Sequence, residues 1–120
     1  MPGLTPLIIV VANICLGLLL LTQHLRGLPR KPTMRAAHLL LGAFALESLA
    51  VNLNDPGSAA LAASPFGARA ALLVGLALLT GYIAALVGRK NQRAANWILG
   101  AHATAATLGL AFLLVWVMPA

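Results

Sequence analysis

Four long apolar runs, separated by short polar segments, make up most of the chain. They cover about residues 7–25, 34–53, 66–88 and 94–118. Each is close to the roughly 20 apolar residues that a helix needs to cross a bilayer. Barrel strands would be about 10 residues long and alternating, and backbone groups in lipid must be hydrogen-bonded within their own segment. The pattern predicts an all-α, polytopic membrane protein with four transmembrane helices in a single domain.

The polar segments between the runs carry helix-boundary signals. Pro29 and Pro32 interrupt the first segment, and the sequence Asn-Asp-Pro-Gly-Ser at 54–58 is typical of a turn. Ser64 followed by Pro65 suits an N-cap and the first helical position. Because the connections at 26–35 and 89–93 are short, the first and second helices, and the third and fourth, are expected to form hairpins.

A repeated motif marks the entrance of the second and fourth runs. Arg-Ala-Ala-His-Leu-Leu-Leu-Gly at 35–42 returns as Arg-Ala-Ala-Asn-Trp-Ile-Leu-Gly at 93–100, an offset of 58 residues (93 − 35). The same offset aligns Gly17 with Gly75 and Thr22 with Thr80. Self-similarity at a fixed offset is the signature of an internal repeat. We therefore predict two tandem hairpin repeats.

Composition supports a lipid environment. The chain is 61% hydrophobic and 8% charged, whereas a soluble domain carries about 25% charged residues. Of the eight Lys and Arg residues, seven lie in or beside the two connections that precede the even-numbered runs, and Arg69 is the exception. Such clusters face the cytoplasm and contact anionic lipid, so a nucleic-acid partner is not expected.

This charge distribution predicts the topology. Both chain ends would lie on the non-cytoplasmic side of a bacterial inner or photosynthetic membrane. The two hairpins would then be parallel, related by a pseudo-two-fold axis along the membrane normal.

Three histidines fall in the cytoplasmic half of the predicted bundle: His24, His38 and His102. Ionisable residues within a span indicate a functional site, because their burial is costly. A neutral imidazole is a standard axial ligand of haem iron, and four-helix bundles hold cofactors on inward-facing side chains. We predict His38 and His102 as axial ligands of a haem b.

Other interpretations of the histidines stay open at this point. They could bond backbone or hydroxyl groups between helices, His102 with Thr80 or Tyr82 for example. One histidine could hold a chlorophyll-type pigment, or no cofactor is bound. In the 58-residue alignment His102 lies six residues deeper than the position matching His38, about 9 Å along a helix. A shared iron would require helix tilt or vertical shift.

The Arg-x-x-His-x-x-x-Gly motif at 35–42, with four spans and basic cytoplasmic loops, resembles small bacterial four-helix b-type cytochromes of the cytochrome b561 and ferric-reductase-like kind. The resemblance implies electron transfer, with His38 as a haem ligand. It implies Arg35 as the partner of a haem propionate, a role that suits bidentate binding of carboxylate by guanidinium. The second copy of the motif carries Asn96 in place of the histidine.

Glu47 is the only acid within a predicted span. It lies nine residues beyond His38, half a turn out of phase, and therefore on another helix face. A hydrogen bond to Asn13 in the first span is expected, and a small proton-coupled transporter using Glu47 is an alternative function.

Enzymatic signatures are sparse. The chain has no Gly-rich phosphate loop, no Cys-His metal set and no Ser-His-Asp arrangement. It is therefore expected to be an electron-transfer protein, or a non-catalytic accessory subunit of a larger respiratory or photosynthetic complex with other membrane subunits as partners, rather than a stand-alone enzyme.

Overall fold

A computed structural model of the chain describes residues 3–29, 31–54 and 64–118, which form four α-helices and no strand. Each helix is long and apolar enough to cross a membrane. The all-helical prediction is confirmed, and no observed helix end differs from its predicted span by more than three residues. Arg30 and the predicted turn from residue 55 onward lie outside the described residues. The helices are α1 (Leu4–Leu25), α2 (Pro32–Asn54), α3 (Pro65–Val87) and α4 (Gln92–Val117).

Side-chain caps set the start of α3 and α4. Ser64 Oγ accepts a hydrogen bond from the Phe66 N–H at 3.3 Å, and Pro65 follows as the first helical residue, as the sequence predicts. The start of α4 differs from the prediction, because Asn91 Oδ1 accepts from the Ala94 N–H at 3.1 Å. This cap lets α4 begin two residues before its apolar run does.

The helices form a closed ring. Each packs against the next along the chain, α1 also packs against α4, and the contact between α3 and α4 is the most extensive. The bundle measures 45 × 22 × 21 Å. Many large apolar side chains cover its outside, including Leu40, Phe44 and Leu72. Such an exterior suits lipid rather than water.

The apolar core occupies one half of the bundle, where α1 and α3 begin and α2 and α4 end. The largest side chain of this core, Trp116, packs against the backbone of two glycines. A Cβ on Gly67 would lie 2.8 Å from two indole atoms of Trp116, and a Cβ on Gly3 would lie 3.0 Å from another atom of the same indole. The opposite half of the bundle, toward the two short connections, contains the histidines. The core cluster is Val10, Ala45, Leu49, Ala70, Val74, Leu113 and Trp116.

Burial in the two hairpins corresponds at an offset of 64 residues, six more than the motif offset. At the motif offset, buried Gly42 is matched with exposed Gly100, and buried Leu49 with exposed Thr107. At an offset of 64 residues, five pairs have both members buried. These pairs are Gly3 and Gly67, Pro6 and Ala70, Val10 and Val74, Ala45 and Gly109, and Leu49 and Leu113.

Candidate functional site

His38 of α2 and His102 of α4 contact each other across the axis of the bundle. Their ring centroids are 5.9 Å apart and their planes are inclined at 81°, an edge-to-face arrangement. Since α2 and α4 are diagonal members of the ring, this contact lies at its centre. The two predicted ligands are therefore brought together.

The expected difference in depth between these histidines is not present in the bundle. His102 lies ten residues after the first residue of α4 (102 − 92), whereas His38 lies six after the first residue of α2 (38 − 32). Measured from its histidine, α4 extends farther toward the connections than α2 does. Aligning the two hairpins on the motif near the helix starts therefore does not align the residues inside the bundle. At the 64-residue offset, at which the burial of the two hairpins corresponds, His102 matches His38 itself (102 − 38 = 64).

His102 is fixed by a hydrogen bond to a neighbouring helix. Its Nδ1 lies 2.6 Å from the carbonyl oxygen of Ala77 in α3. A carbonyl can only accept, so Nδ1 carries the proton and Nε2 keeps the lone pair of the neutral ring. Gly81 makes this approach possible, because a Cβ there would lie 3.0 Å from both Cε1 and Nδ1 of His102.

His102 does not form the hydrogen bond to the Thr80 or Tyr82 hydroxyl that was suggested for it. Thr80 Oγ1 donates to carbonyl oxygens of its own helix, those of Leu76 at 2.8 Å and Ala77 at 3.1 Å. Tyr82 is exposed. The more general expectation, a bond from a histidine to a backbone group of another helix, is confirmed for His102.

His38 lies against α1 in the corresponding way but makes fewer polar contacts. A Cβ on Gly17 would lie 2.9 Å from Cε1 of His38. Nδ1 of His38 is buried and has no hydrogen-bond partner among the described residues. Asn13 occupies the position that corresponds to Ala77 (77 − 64 = 13).

The third histidine joins α1 to α4 nearer the connections. Nε2 of His24 lies 3.0 Å from Oδ1 of Asn96, which also accepts from Nε2 of Gln92 at 2.9 Å. Asn96 is the residue that replaces histidine in the second copy of the motif. The sequence offered no signal for this contact, since His24 and Asn96 are far apart in the chain.

Arg35 is exposed on α2, three residues before His38 toward the connections. Three residues correspond to about 4.5 Å along a helix. The guanidinium is therefore free to reach an acidic group at the connection end of the histidine pair.

The structure does not bring Asn13 and Glu47 together. Glu47 is exposed on the outer face of α2. Asn13 lies inside, where its Oδ1 is buried without a hydrogen-bond partner, and its Nδ2 would be 3.2 Å from a Cβ on Gly42. Depth along the helices allowed the pair, but the outward direction of Glu47 prevents it.

Comparison of the chain with protein-family models, curated proteins and solved structures gives no match. The His38–His102 pair is therefore the feature from which a function can be inferred. It offers two imidazoles at the centre of an apolar bundle, each beside the bare backbone of a glycine.

Proposed function

We propose that this chain is a small integral membrane protein that binds one haem b between His38 and His102 and transfers electrons. The observation that supports it is the contact of these two rings at the bundle centre, on diagonal helices. Imidazole is a standard axial haem ligand. In four-helix bundles, cofactor sites are built from side chains on facing helices.

The two rings are in direct edge-to-face contact, with their centroids 5.9 Å apart. A metal bound by imidazole lies in the plane of the ring, so in this proposal the rings would turn and the helices would separate to admit a porphyrin between them. Since Nδ1 of His102 donates to Ala77, Nε2 is the nitrogen left for a metal, and such a bond is the usual support for a histidine ligand.

A porphyrin also accounts for the small number of protein ligands. Among residues 3–29, 31–54 and 64–118, no group of three or more His, Cys, Asp and Glu side chains could hold a metal ion. Structural and catalytic zinc sites use three or four protein ligands. Two histidines would suffice for a cofactor that itself supplies the remaining ligands, as haem does.

In this proposal the four helices span the membrane as two tandem, parallel hairpin repeats. The pseudo-two-fold axis runs between His38 and His102, and the matched burial at 64 residues supports it. The basic connections face the cytoplasm and both chain ends lie on the other side of a bacterial membrane. Arg35 is then on the cytoplasmic side of the haem, where its guanidinium can bind a propionate.

A role as an accessory subunit is the second candidate, and Glu47 favours it. This carboxylate is exposed on the outer face of α2, nine residues from His38 within the same helix. An acid facing lipid is costly, and such residues usually face protein or water. Another membrane subunit would cover it. Transport through the bundle would not use Glu47 directly, because its side chain faces away from the centre.

An absorption spectrum tests the haem proposal. The protein is produced with a haem precursor, purified in a mild detergent and reduced with dithionite. We expect a Soret band and the sharp visible bands of a haem with two axial histidines. Replacing both ligands (His38→Ala with His102→Ala) should abolish haem binding, and His24→Ala is the matched control that should keep the spectrum. A helical, monodisperse but colourless protein after haem supplementation would overturn the proposal.

The accessory-subunit candidate has its own readout. Mild solubilisation of the native membrane and affinity purification should recover this chain within a larger complex, and Glu47→Gln should weaken that association. Recovery of a stable lone monomer with bound haem would count against it.

A further inference from the structure

Two shallow grooves follow one another along the exposed face of α4, away from the histidine pair. The first, of about 320 Å³, is lined by Arg93, Asn96, Trp97 and Gly100. The second, of about 310 Å³, is lined by Ala103, Thr104, Thr107 and Leu108. We infer that together they bind one anionic glycerophospholipid of the cytoplasmic leaflet, with its phosphate at Arg93 and an acyl chain along the helix. The inference rests on the proposed membrane insertion and orientation, but not on the haem.

The connection end of the first groove is positively charged. Arg93 lies in the first turn of α4, Arg89 and Lys90 precede it in the α3–α4 connection, and all three are exposed. Glu47 is the only acid among the described residues, and it lies fifteen residues into α2 (47 − 32), about 22 Å along the helix from this end. No described carboxylate therefore neutralises Arg93. Since guanidinium binds phosphate in a bidentate manner, the charge at this end suits a lipid phosphate.

Trp97 and Asn96 continue the first groove at the depth expected for the lipid headgroup. The Trp97 indole is 77% exposed, whereas the other tryptophan, Trp116, is 3% exposed. Exposed indoles are enriched at the headgroup level of membranes, because the ring is apolar and its N–H donates. Oδ1 of Asn96 accepts hydrogen bonds from His24 and Gln92, which leaves Nδ2 as the donor of this amide. Both side chains can therefore donate to the glycerol ester oxygens of a lipid.

The remainder of the site suits an acyl chain in length and polarity. From Trp97 to Leu108 the grooves follow eleven residues (108 − 97), about 16 Å of helix. One leaflet of the hydrocarbon core is about 15 Å thick, half of roughly 30 Å. The hydroxyls of Thr104 and Thr107 donate to carbonyl oxygens of their own helix, at 2.9 and 2.8 Å. These hydroxyls therefore need no partner from the bilayer.

The first hairpin presents a different surface at the corresponding positions. At the 64-residue offset Thr104 corresponds to Leu40, which is 69% exposed, and Trp97 corresponds to Thr33. A large side chain therefore stands on α2 where α4 has its second groove, and the headgroup end of α2 has no indole at the matching position. We expect the site on one hairpin only, with one lipid bound to each chain.

Lipid titration in an uncharged detergent tests the inference, with native mass spectrometry to count the bound molecules. Dioleoyl phosphatidylglycerol is the probe, and dioleoyl phosphatidylcholine is the control with the same chains and no net charge. One phosphatidylglycerol should bind, about tenfold more tightly than phosphatidylcholine, and the preference should weaken as salt is raised. Equal affinities for the two lipids would overturn the inference. So would displacement of the lipid by glycerol phosphate, because a site for free phosphate needs no acyl chain.

The headgroup contact is tested by Arg93→Gln. Affinity for phosphatidylglycerol should fall about fivefold, the effect of one basic residue close to anionic lipid, while affinity for phosphatidylcholine should stay unchanged. Arg26→Gln is the matched control, since it removes the same charge from the other connection. An equal loss of affinity in both variants would show general attraction to the basic connections and no site on α4.

The acyl-chain contact is tested by filling the grooves. Gly100→Leu should lower affinity for both lipids about tenfold. The variant should fold, because nothing lies within 4 Å of a Cβ on Gly100 and leucine has a better helix propensity than glycine. Thr104→Leu introduces the residue found at position 40 and should act in the same direction. Unchanged lipid binding in both variants would contradict the site.

The outcomes separate this inference from the proposed haem. A colourless protein that binds one phosphatidylglycerol overturns the haem alone and supports the lipid site. A protein with the haem spectrum that shows no preference for phosphatidylglycerol overturns the lipid site alone. A chain that stays in solution without detergent contradicts the membrane insertion on which both rest. A dimer that Gly100→Leu dissociates would show that a second copy covers the grooves, and would also overturn the lipid site.

Discussion

The α1–α2 and α3–α4 hairpins have the same framework but different polar contacts. In each, a glycine of the first helix faces a histidine 21 residues later, Gly17 with His38 and Gly81 with His102. Only His102 makes a hydrogen bond through Nδ1, and only its hairpin has the more extensive helix contact. Identical residue pairs are therefore not held equivalently, because the neighbouring side chains and backbone decide how firmly each ring is held.

The difference extends to the apolar end of the bundle. Trp116 of α4 corresponds to Asn52 of α2 (116 − 64 = 52). Trp116 is 3% exposed and fills the space above Gly3 and Gly67. Asn52 accepts a hydrogen bond from the Gly3 N–H at 3.0 Å and so joins the start of α1 to the end of α2. At this position the α3–α4 hairpin contributes a large apolar side chain, and the α1–α2 hairpin contributes a hydrogen bond between helices.

The largest predicted effect on stability comes from replacing Trp116, and Asn52 is the residue with which it is compared. Trp116→Ala should lower the free energy of unfolding by about 3–5 kcal/mol, because it leaves a large cavity. Asn52→Ala should lower it by about 1 kcal/mol, the value of the interhelical hydrogen bond from the Gly3 N–H. Unfolding in detergent micelles by added SDS, followed by far-UV circular dichroism, measures both. Equal losses would show that the indole does not hold the core together.

The two glycines beside the histidines give the next contrast. Gly81→Ala should destabilise by about 1–3 kcal/mol, since the added methyl group meets a ring fixed by its hydrogen bond. In Gly17→Ala the unrestrained His38 ring can move away, and the better helix propensity of alanine, about 1 kcal/mol, offsets the remaining strain. Melting temperatures of the wild type and of both variants, produced without added haem, report both changes. A larger loss for Gly17→Ala would contradict the assigned difference in restraint.

Removing each imidazole sharpens the comparison further. His102→Leu should cost about 0.6–1 kcal/mol through loss of an interhelical hydrogen bond. His38→Leu should be nearly neutral, because it removes a buried nitrogen that has no partner. The same SDS titration applies, and His24→Leu on the connection side is a suitable reference. If His38→Leu were the more damaging change, Nδ1 of His38 would have to be bonded in solution.

The smallest effect should come from making the first hairpin resemble the second. Asn13→Ala introduces the residue found at position 77 and removes a buried oxygen without a partner. The variant should gain about 0.5–1 kcal/mol in free energy of unfolding. Asn54→Ala is the control, since that amide is exposed and donates to the Ala50 carbonyl of its own helix. A loss of stability in Asn13→Ala would indicate that Oδ1 has a water or other partner.

Much of the site was predictable, because its elements are local or chemically rare. Apolar runs of about 20 residues predict the four helices. His38 and His102 stand out because few ionisable residues lie within those runs. The partner of His102 was not predictable, because the Ala77 carbonyl is a backbone group that has no signature in sequence. The pairing of Asn13 with Glu47 failed because similar depth does not determine the direction of a side chain.

The sequence by itself determined the helices, their approximate ends and the two histidines that meet at the centre of the bundle. Only the tertiary structure decided the register between the hairpins, with corresponding burial at 64 residues instead of the 58 of the Arg-Ala-Ala motif. The physical reason is that the motif reports where a helix starts, which is local. The relative depth of two helices depends on how their side chains pack together, as Trp116 does against Gly67 and His102 against Gly81. Such packing joins residues that are far apart in the chain.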